Sequence, residues 1–243
     1  MKKLDLLFFL ILWIFYIALF EVNTFVRSHL VAESSNGKKV FESEHTIPIA
    51  KISITIIYDN NPYTEGLATA WGFSCLIRGA EKTILFDTGG NGSILLANMK
   101  QLDINSEDID VVVISHIHGD HAGGIERFLE RNNNVSVYLP KSFPGGFIEN
   151  LKSSGIKTVG VHDASRICGG VYTTGELGEA IKEQSLIVHT TQGIIVITGC
   201  AHPGIVKILK RAKDLSKDDI FLALGGFHLG GTSRGDLEKT VLS

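Results

Sequence analysis

Side chains that can bind metal crowd into one short segment of the chain, SHIHGDHAGG at residues 115–124. The segment contains His116, His118, Asp120 and His121 in the spacing HxHxDH. Imidazole nitrogens and carboxylate oxygens are ligands for zinc, iron and manganese. A histidine-rich surface loop is the alternative explanation, but such a loop has no reason to follow a buried strand directly. The segment therefore predicts a metal site.

The elements around this segment explain how it could be positioned. The run VVVI at residues 111–114 is apolar throughout, which is typical of a strand buried on both faces. Open α/β sheets bind ligands beyond the carboxyl ends of their strands. His202 follows the strand-like run GIIVITGC, and His228 follows DIFLALGGF. We therefore expect three strand ends to bring histidines to one cavity.

The rest of the chain has the pattern of a packed α/β domain. Hydrophobic residues make up 44% of the sequence and there are 26 glycines, which suits a domain with many tight turns. The runs WGFSCLIRG and KTILFDTGG, joined by GAE, predict a β-hairpin. Helices are expected at residues 92–104, 121–133 and 203–215. The order of elements predicts two packed sheets with helices outside, a layered α/β (α+β) architecture.

The amino terminus predicts a membrane anchor. Lys2 and Lys3 precede an almost unbroken apolar run from Leu6 to Phe20, close to the lower limit of ~17 residues for a membrane-spanning helix. No small-x-small cleavage site follows it. We expect a signal anchor over residues 1–26, a polar tether over 27–46 and a globular domain over 47–243, placed outside the cytoplasm. A peptide cleaved after Ala32 and a cytoplasmic orientation are the alternatives.

Charge and cysteine content exclude several classes of protein. The net charge of −3 is spread along the chain without a basic block, which argues against a nucleic-acid partner. The three cysteines lie far apart and are odd in number, which argues against a disulfide framework. The LFDTGG segment suggests an aspartic protease, but that chemistry needs a second such carboxylate and leaves the histidines unexplained. A small molecule is the expected substrate.

The motif HIHGDHAGG resembles the HxHxDH signature of the metallo-β-lactamase superfamily. The resemblance extends over residues 47–231 and includes TILFDTGG. VITGCAHPGI, LALGGFHL, WGFSCLIRG and EQSLIV resemble the branch of 7,8-dihydropterin-6-methyl-aminobenzene-phosphate synthase. The resemblance implies an αββα sandwich with a metal centre, usually of two ions, between the sheets. It also implies a further helix and strand, so we expect the carboxyl end to be truncated.

The same resemblance implies a set of ligands. One ion would be bound by His116, His118 and His202, and the other by Asp120, His121 and His228. Asp87 would support the metal-binding loop without contacting an ion. Cys200 stands where many relatives have a bridging aspartate, and it is either a thiolate ligand or a small buried residue. Glu176 stands where many relatives have their third histidine, a role we assign to His202. The remaining histidines receive no metal role: His29, His45, His162 and His189.

These expectations together describe a metal-dependent hydrolase or transferase with one or two divalent ions. Zinc is the first choice, and iron or manganese are alternatives. Asp120 is the expected proton carrier. The branch resemblance implies a phosphorylated or pterin-like substrate and the joining of a dihydropterin diphosphate to an aminobenzene phosphate. A phosphodiesterase or esterase-type metallohydrolase acting on an unrelated substrate, and a non-catalytic metal or redox protein, remain as alternatives.

Overall fold

A computed structural model of the chain describes residues 46–230 together with Ser233 and Gly235. The predicted anchor at 1–26 and nearly all of the predicted tether at 27–46 lie outside these residues. Within the described part of the chain, no helix is long and apolar enough to cross a bilayer. The longest helix there has 12 residues, against the ~17 that a span needs. The predicted membrane-anchored, extracytoplasmic location is corrected, because no membrane-spanning helix is found among the described residues, and the membrane as a partner has no support there.

Six strands form the first sheet, in the order of the chain. They are β1 (Ser53–Tyr58), β2 (Ser74–Arg78), β3 (Ile84–Phe86), β4 (Val111–Val113), β5 (Ser136–Pro140) and β6 (Lys157–Val161). Strands β1 to β3 are antiparallel, and β3 to β6 are parallel. The predicted hairpin between β2 and β3 is confirmed.

Five strands form the second sheet, in the order β11-β10-β9-β8-β7. They are β7 (Asp163–Cys168), β8 (Val171–Gly175), β9 (Leu186–Thr190), β10 (Gly193–Thr198) and β11 (Ile220–Gly225). The β10–β11 pair is parallel, and the other pairs are antiparallel. Strand β7 is absent from the sequence prediction because DASRIC is mostly polar or small. Its pairing with β8 makes it a strand at the edge of the sheet.

The described helices are α1 (Gly92–Gln101), α2 (Gly119–Ala122), α3 (Ile125–Leu129), α4 (Gly145–Ser153) and α5 (Ile205–Ser216). The predicted helix at 121–133 is wrong in detail, because α2 and α3 are separate. In a continuous helix, the Gly124 amide would donate to the Asp120 carbonyl. It donates instead to the Gly89 carbonyl at 3.0 Å, and the Asp120 carbonyl accepts the Phe73 amide at 3.4 Å. Gly124 is required there, since a Cβ would collide with the Thr88 carbonyl.

Side chains alternate across each sheet and so define the layers. In β2, Leu76 packs in the cluster that contains the buried faces of α1 and α3, whereas Cys75 and Ile77 pack in the cluster between the sheets. In β10, Ile195 faces the same central cluster, whereas Val196 packs with α5. Burying an aliphatic side chain of this size contributes about 1.5–3 kcal/mol. The predicted arrangement of helices, sheet, sheet and helix is confirmed.

Four strands from the two sheets end at the same edge of the sandwich. The segments that follow β3 and β4 carry Asp87 and His116, and those that follow β10 and β11 carry Cys200 and His228. The Gly226 amide donates to the Gly199 carbonyl at 2.8 Å, so the β10 and β11 ends are joined directly. Because parallel strands present their carboxyl ends together, these segments can build one site.

Candidate metal centre

Three histidines converge at this edge with nitrogens facing one another. His116 Nε2 lies 3.1 Å from His118 Nδ1, which lies 3.1 Å from His202 Nε2. The rings of His116 and His202 are 4.8 Å apart between centroids. Two nitrogens bound to one tetrahedral zinc ion, each about 2.0–2.1 Å from it, lie about 3.3 Å apart. The observed spacing therefore fits a shared metal ion.

Cys200 connects this group to two further sets of donor atoms. His121 Nε2 lies 3.0 Å from Cys200 Sγ. Donor atoms of His116, His121 and Cys200 lie within 4.8 Å of one another, and so do those of Cys200, His202 and His228. Cys200 thus belongs to two of the three sets. A nitrogen-rich set with one thiol matches the ligand preference of zinc.

Asp120 lies beside this cluster but not inside it. Its Oδ2 is 3.5 Å from His121 Nε2, and its side chain is 23% exposed. Among the described residues, Asp120 belongs to none of the sets whose donor atoms lie within 4.8 Å of one another. The histidines of the predicted ligand set are therefore brought together with Cys200 among them, whereas Asp120 lies at the margin of the group.

Asp87 is fully buried behind the cluster and orients two of its histidines. Its Oδ1 accepts the Ser115 amide, and its Oδ2 accepts Ser115 Oγ and contacts His121 Nδ1, all at 2.7 Å. Ser115 Oγ in turn contacts His116 Nδ1 at 2.9 Å. Protons on both Nδ1 atoms satisfy this chain of hydrogen bonds and leave both Nε2 lone pairs directed at the cluster. Metal-binding histidines commonly use their second nitrogen in this way.

Burial and neighbouring charges shift the pKa values of these histidines in opposite directions. Burial, followed by the nearby histidines His121 and His202, lowers the pKa of His116 to about 2, which keeps its ring neutral. Burial also opposes the charged form of His121, but the Asp87 carboxylate outweighs it and raises that pKa to about 11. Since metal ligands must be unprotonated, a cation at His121 has to compete with a proton.

Glu183 is a buried residue of the site that the sequence interpretation did not identify. Its Oε1 accepts Thr198 Oγ1 at 2.8 Å and the amides of Gly199 and Ala201 at 3.0 Å. Its Oε2 accepts the His202 amide at 2.8 Å. The available signal was a charged residue two positions before the run SLIV, but the sequence gives no indication of its hydrogen-bond partners.

Three residues of the site have left-handed backbone conformations although they are not glycine. Their φ angles are 56° at Asp87, 58° at Ala201 and 50° at His228. Such conformations cost of order 1 kcal/mol or more and persist where surrounding contacts fix them. They concentrate at functional sites, and here they lie in the three segments that follow β3, β10 and β11.

The other candidate residues lie outside the cluster. Glu176 contacts His162 Nδ1 at 3.0 Å and accepts the Ser142 amide at 2.6 Å. Burial opposes ionisation of Glu176, but these contacts with Ser142 and His162 lower its pKa. His189 Nε2 contacts Asp218 Oδ2 at 3.2 Å. His29 and His45 fall outside the described residues.

A cavity opens directly beside the cluster. Its volume is about 400 Å³, within the range of sites for small ligands. His202 and His228 are part of its lining. The apolar lining comes from the start of α5 and the segment after β11, with side chains of Ile205, Val206, Phe227 and Leu229. The cluster therefore faces space for an organic substrate.

Comparisons with known proteins agree with this geometry. Residues 72–147 match the model of the metallo-beta-lactamase superfamily. The chain is 29% identical over 236 residues to 7,8-dihydropterin-6-methyl-4-(beta-D-ribofuranosyl)-aminobenzene-5'-phosphate synthase of Methanocaldococcus jannaschii, covering 77% of this chain and 80% of the relative. It is 30% identical over 219 residues to an uncharacterised protein of the same archaeon, covering 77% of this chain and 84% of that protein.

A solved structure shows the same fold. It is Tm1679, described as a metal-dependent hydrolase of the beta-lactamase superfamily, and it superposes with a TM-score of 0.63 at 26% identity. The superposition covers 78% of this chain and 81% of Tm1679. The fold, the HxHxDH segment and the relatives agree. This protein belongs to the metallo-beta-lactamase superfamily.

Proposed function

We propose that this chain is a metal-dependent enzyme that binds one or two divalent ions at the clustered strand ends and acts on a small substrate in the adjacent cavity. The observation that carries the proposal is the presence of three donor sets that share residues, each with its donor atoms within 4.8 Å of one another, drawn from segments that run from residue 116 to residue 228. A structural metal site is usually closed by four protein ligands. This cluster instead faces a cavity of about 400 Å³.

The donor chemistry supports zinc. His116, His118 and His202 would hold one ion. His121 and His228 would contribute to a second, and Cys200, which belongs to both neighbouring sets, would lie between the two. Asp120 would complete the second site or act from beside it. Iron and manganese are less well matched, because a thiol is a soft ligand that favours zinc over harder cations.

The chain's own residues would orient the ligands and move protons. Ions in such a site supply Lewis-acid polarisation of a phosphoryl or carbonyl oxygen. Asp87 holds His116 and His121 with their Nε2 atoms towards the cluster. Asp120 is the half-buried carboxylate nearest the cluster, and it would accept the proton released by the attacking group.

The resemblance to the synthase supports a pterin-like, phosphorylated substrate. In that transfer, a carbon–nitrogen bond forms between the dihydropterin methylene and the aryl amine. The carbon–oxygen bond to diphosphate breaks, diphosphate leaves with the bonding electrons, and the amine loses a proton to a base such as Asp120. The apolar lining of the cavity, which includes Phe227 and Ile205, suits a flat aromatic ring.

A second candidate is hydrolysis of an unrelated ester or phosphodiester. The observation that favours it is the superposition on Tm1679, a metal-dependent hydrolase, with a TM-score of 0.63. The same cluster serves this reaction with water as the nucleophile and Asp120 as the proton acceptor. The two candidates differ in the nucleophile and not in the metal ligands.

The test combines metal analysis of the full chain with a panel of substrates. The panel contains a dihydropterin diphosphate with an aryl amine, and phosphodiester, thioester and lactam substrates. We expect metal-dependent turnover of one class that is lost on chelation and restored by zinc. Asp120→Asn should lower that turnover while leaving most metal bound, whereas His162→Ala, an exposed histidine outside the cluster, should change neither. Bound metal without turnover of any substrate would support a non-catalytic role instead.

A further inference from the structure

Two consecutive residues before β9 contact both halves of the metal centre. Glu183 has only 1% of its surface exposed, and it accepts four hydrogen bonds from the turn at residues 198–202, which carries Cys200 and His202. Three of these donors are backbone amides. A carboxylate has two acceptor oxygens, and between them these can accept all four bonds. The donors of the turn at residues 198–202 therefore match the two acceptor oxygens of Glu183.

Gln184 makes corresponding contacts to the first sheet. Its backbone amide donates to the Ser115 carbonyl at 2.9 Å, next to His116. Its side-chain Nε2 donates to the Ile114 carbonyl at 2.9 Å, and its Oε1 accepts Thr173 Oγ1 at 2.7 Å. Gln184 is fully buried. The residue thus holds the end of β4, from which the HxHxDH segment begins.

Successive residues of an extended chain direct their side chains to opposite sides. One dipeptide can therefore reach the turn after β10 with its first residue and the end of β4 with its second. Two pairs of candidate ligands must lie close together for metal binding. They are His118 with His202 and His121 with Cys200, which are 84 and 79 residues apart in sequence. The dipeptide is a direct link between the two segments that carry them.

We propose that Glu183 and Gln184 are positioning residues that set the distance between the two ligand-bearing segments and so determine metal affinity. The inference rests on the metal centre of the proposed function. It extends that function by assigning the spacing of the donors to two residues that lie outside the described donor sets. Partners of metal ligands commonly change affinity 10–100-fold when they are replaced.

The first test uses Glu183→Gln, which keeps the size of the side chain. Its amide oxygen can occupy the position that accepts three bonds, but its amide nitrogen then faces the His202 amide, donor against donor. We expect zinc affinity to fall about 10–100-fold in competition with a chromophoric chelator. We also expect a changed absorption spectrum of the cobalt-substituted protein, because Cys200 and His202 share the affected turn.

Gln184→Met removes the side-chain hydrogen bonds to the Ile114 carbonyl and Thr173 Oγ1 while keeping a long, buried side chain and the backbone bond to Ser115, and it should also lower zinc affinity. Asn98→Asp is the matched control. Asn98 is a buried side chain whose Nδ2 donates to the carbonyls of Ile57 and Ala68 at 2.8 Å, remote from the cluster. Its replacement creates a comparable polar mismatch and should lower stability to urea without changing zinc affinity or the cobalt spectrum.

The outcomes separate this inference from the proposed function. If the unaltered chain binds no zinc or cobalt, the proposed function fails and this inference fails with it. If the unaltered chain binds metal and either Glu183→Gln or Gln184→Met binds it equally tightly, the positioning role is overturned while the metal centre stands. An equal loss of affinity in Asn98→Asp would show that general destabilisation, and not positioning, causes the effect.

Discussion

Replacing Asp87 by Asn should disable the metal centre without changing the shape of the buried side chain. The amide oxygen can still accept the Ser115 amide, but the amide nitrogen then occupies the place of Oδ2 and is a donor. His121 Nδ1 and Ser115 Oγ, which both contact Oδ2 at 2.7 Å, must become acceptors. The rotated Ser115 hydroxyl then donates to His116 Nδ1. Both histidines would carry their proton on Nε2, towards the cluster.

The size of the effect follows from the contacts that change. A hydrogen bond to a charged group contributes about 1.5–3 kcal/mol and a neutral one about 0.5–1.5 kcal/mol, so replacing the charged Asp87–His121 contact by a neutral one should destabilise the metal-free protein by about 1–1.5 kcal/mol. Substitutions behind metal-binding histidines lower affinity about 10–100-fold, which corresponds to about 1.4–2.7 kcal/mol of binding free energy. We expect metal binding to lose more free energy than folding does, because both His116 and His121 lose the Nε2 lone pairs that would bind metal.

Zinc affinity would be measured by competition with a chromophoric chelator, and stability by urea unfolding of the chelated protein. Asp110→Asn is the control, since the partners of Asp110 are the Thr83 amide at 2.9 Å and Lys82 Nζ at 3.6 Å, neither of them in the cluster, and its side chain is 43% exposed. That variant should bind zinc normally. Asp87→Asn protein that folds and binds zinc with unchanged affinity and stoichiometry would refute the tautomer argument.

Three further results are expected. Replacing His116 and His118 together by Ala should remove most of the bound metal in elemental analysis; unchanged metal content would exclude them as ligands. In the metal-free protein at neutral pH, iodoacetamide should modify Cys200 before the other two cysteines, because burial keeps those as thiols and raises the pKa of Cys168 to about 11. Zinc should protect Cys200, and equal labelling with and without zinc, read by peptide mass spectrometry, would argue against a thiolate ligand. Phe128→Ala should lower the free energy of unfolding by about 3–5 kcal/mol, since Phe128 is fully buried under the first sheet, and a loss below 1 kcal/mol would contradict that packing.

Much of the architecture could be predicted from sequence, because local patterns carry it. The apolar run at 111–114 is buried and forms β4 and the residue after it. The hairpin at GAE joins β2 and β3 as expected. The break between α2 and α3 could not be predicted, because it depends on a hydrogen bond from Gly124 to Gly89, which is distant in sequence. The anchor prediction came from residues 1–26 alone, and no helix that could span a bilayer was found among the described residues.

The sequence by itself identified candidate donor atoms, since HxHxDH and two further histidines follow apolar strands. Tertiary structure decided which donors meet. It places Cys200 3.0 Å from His121 and leaves Asp120 at the margin. It also shows that Glu183 holds the turn of His202. The physical reason is that residue type and local periodicity indicate the donors and the strands, whereas the approach of donors 79 and 84 residues apart in sequence depends on how distant segments pack.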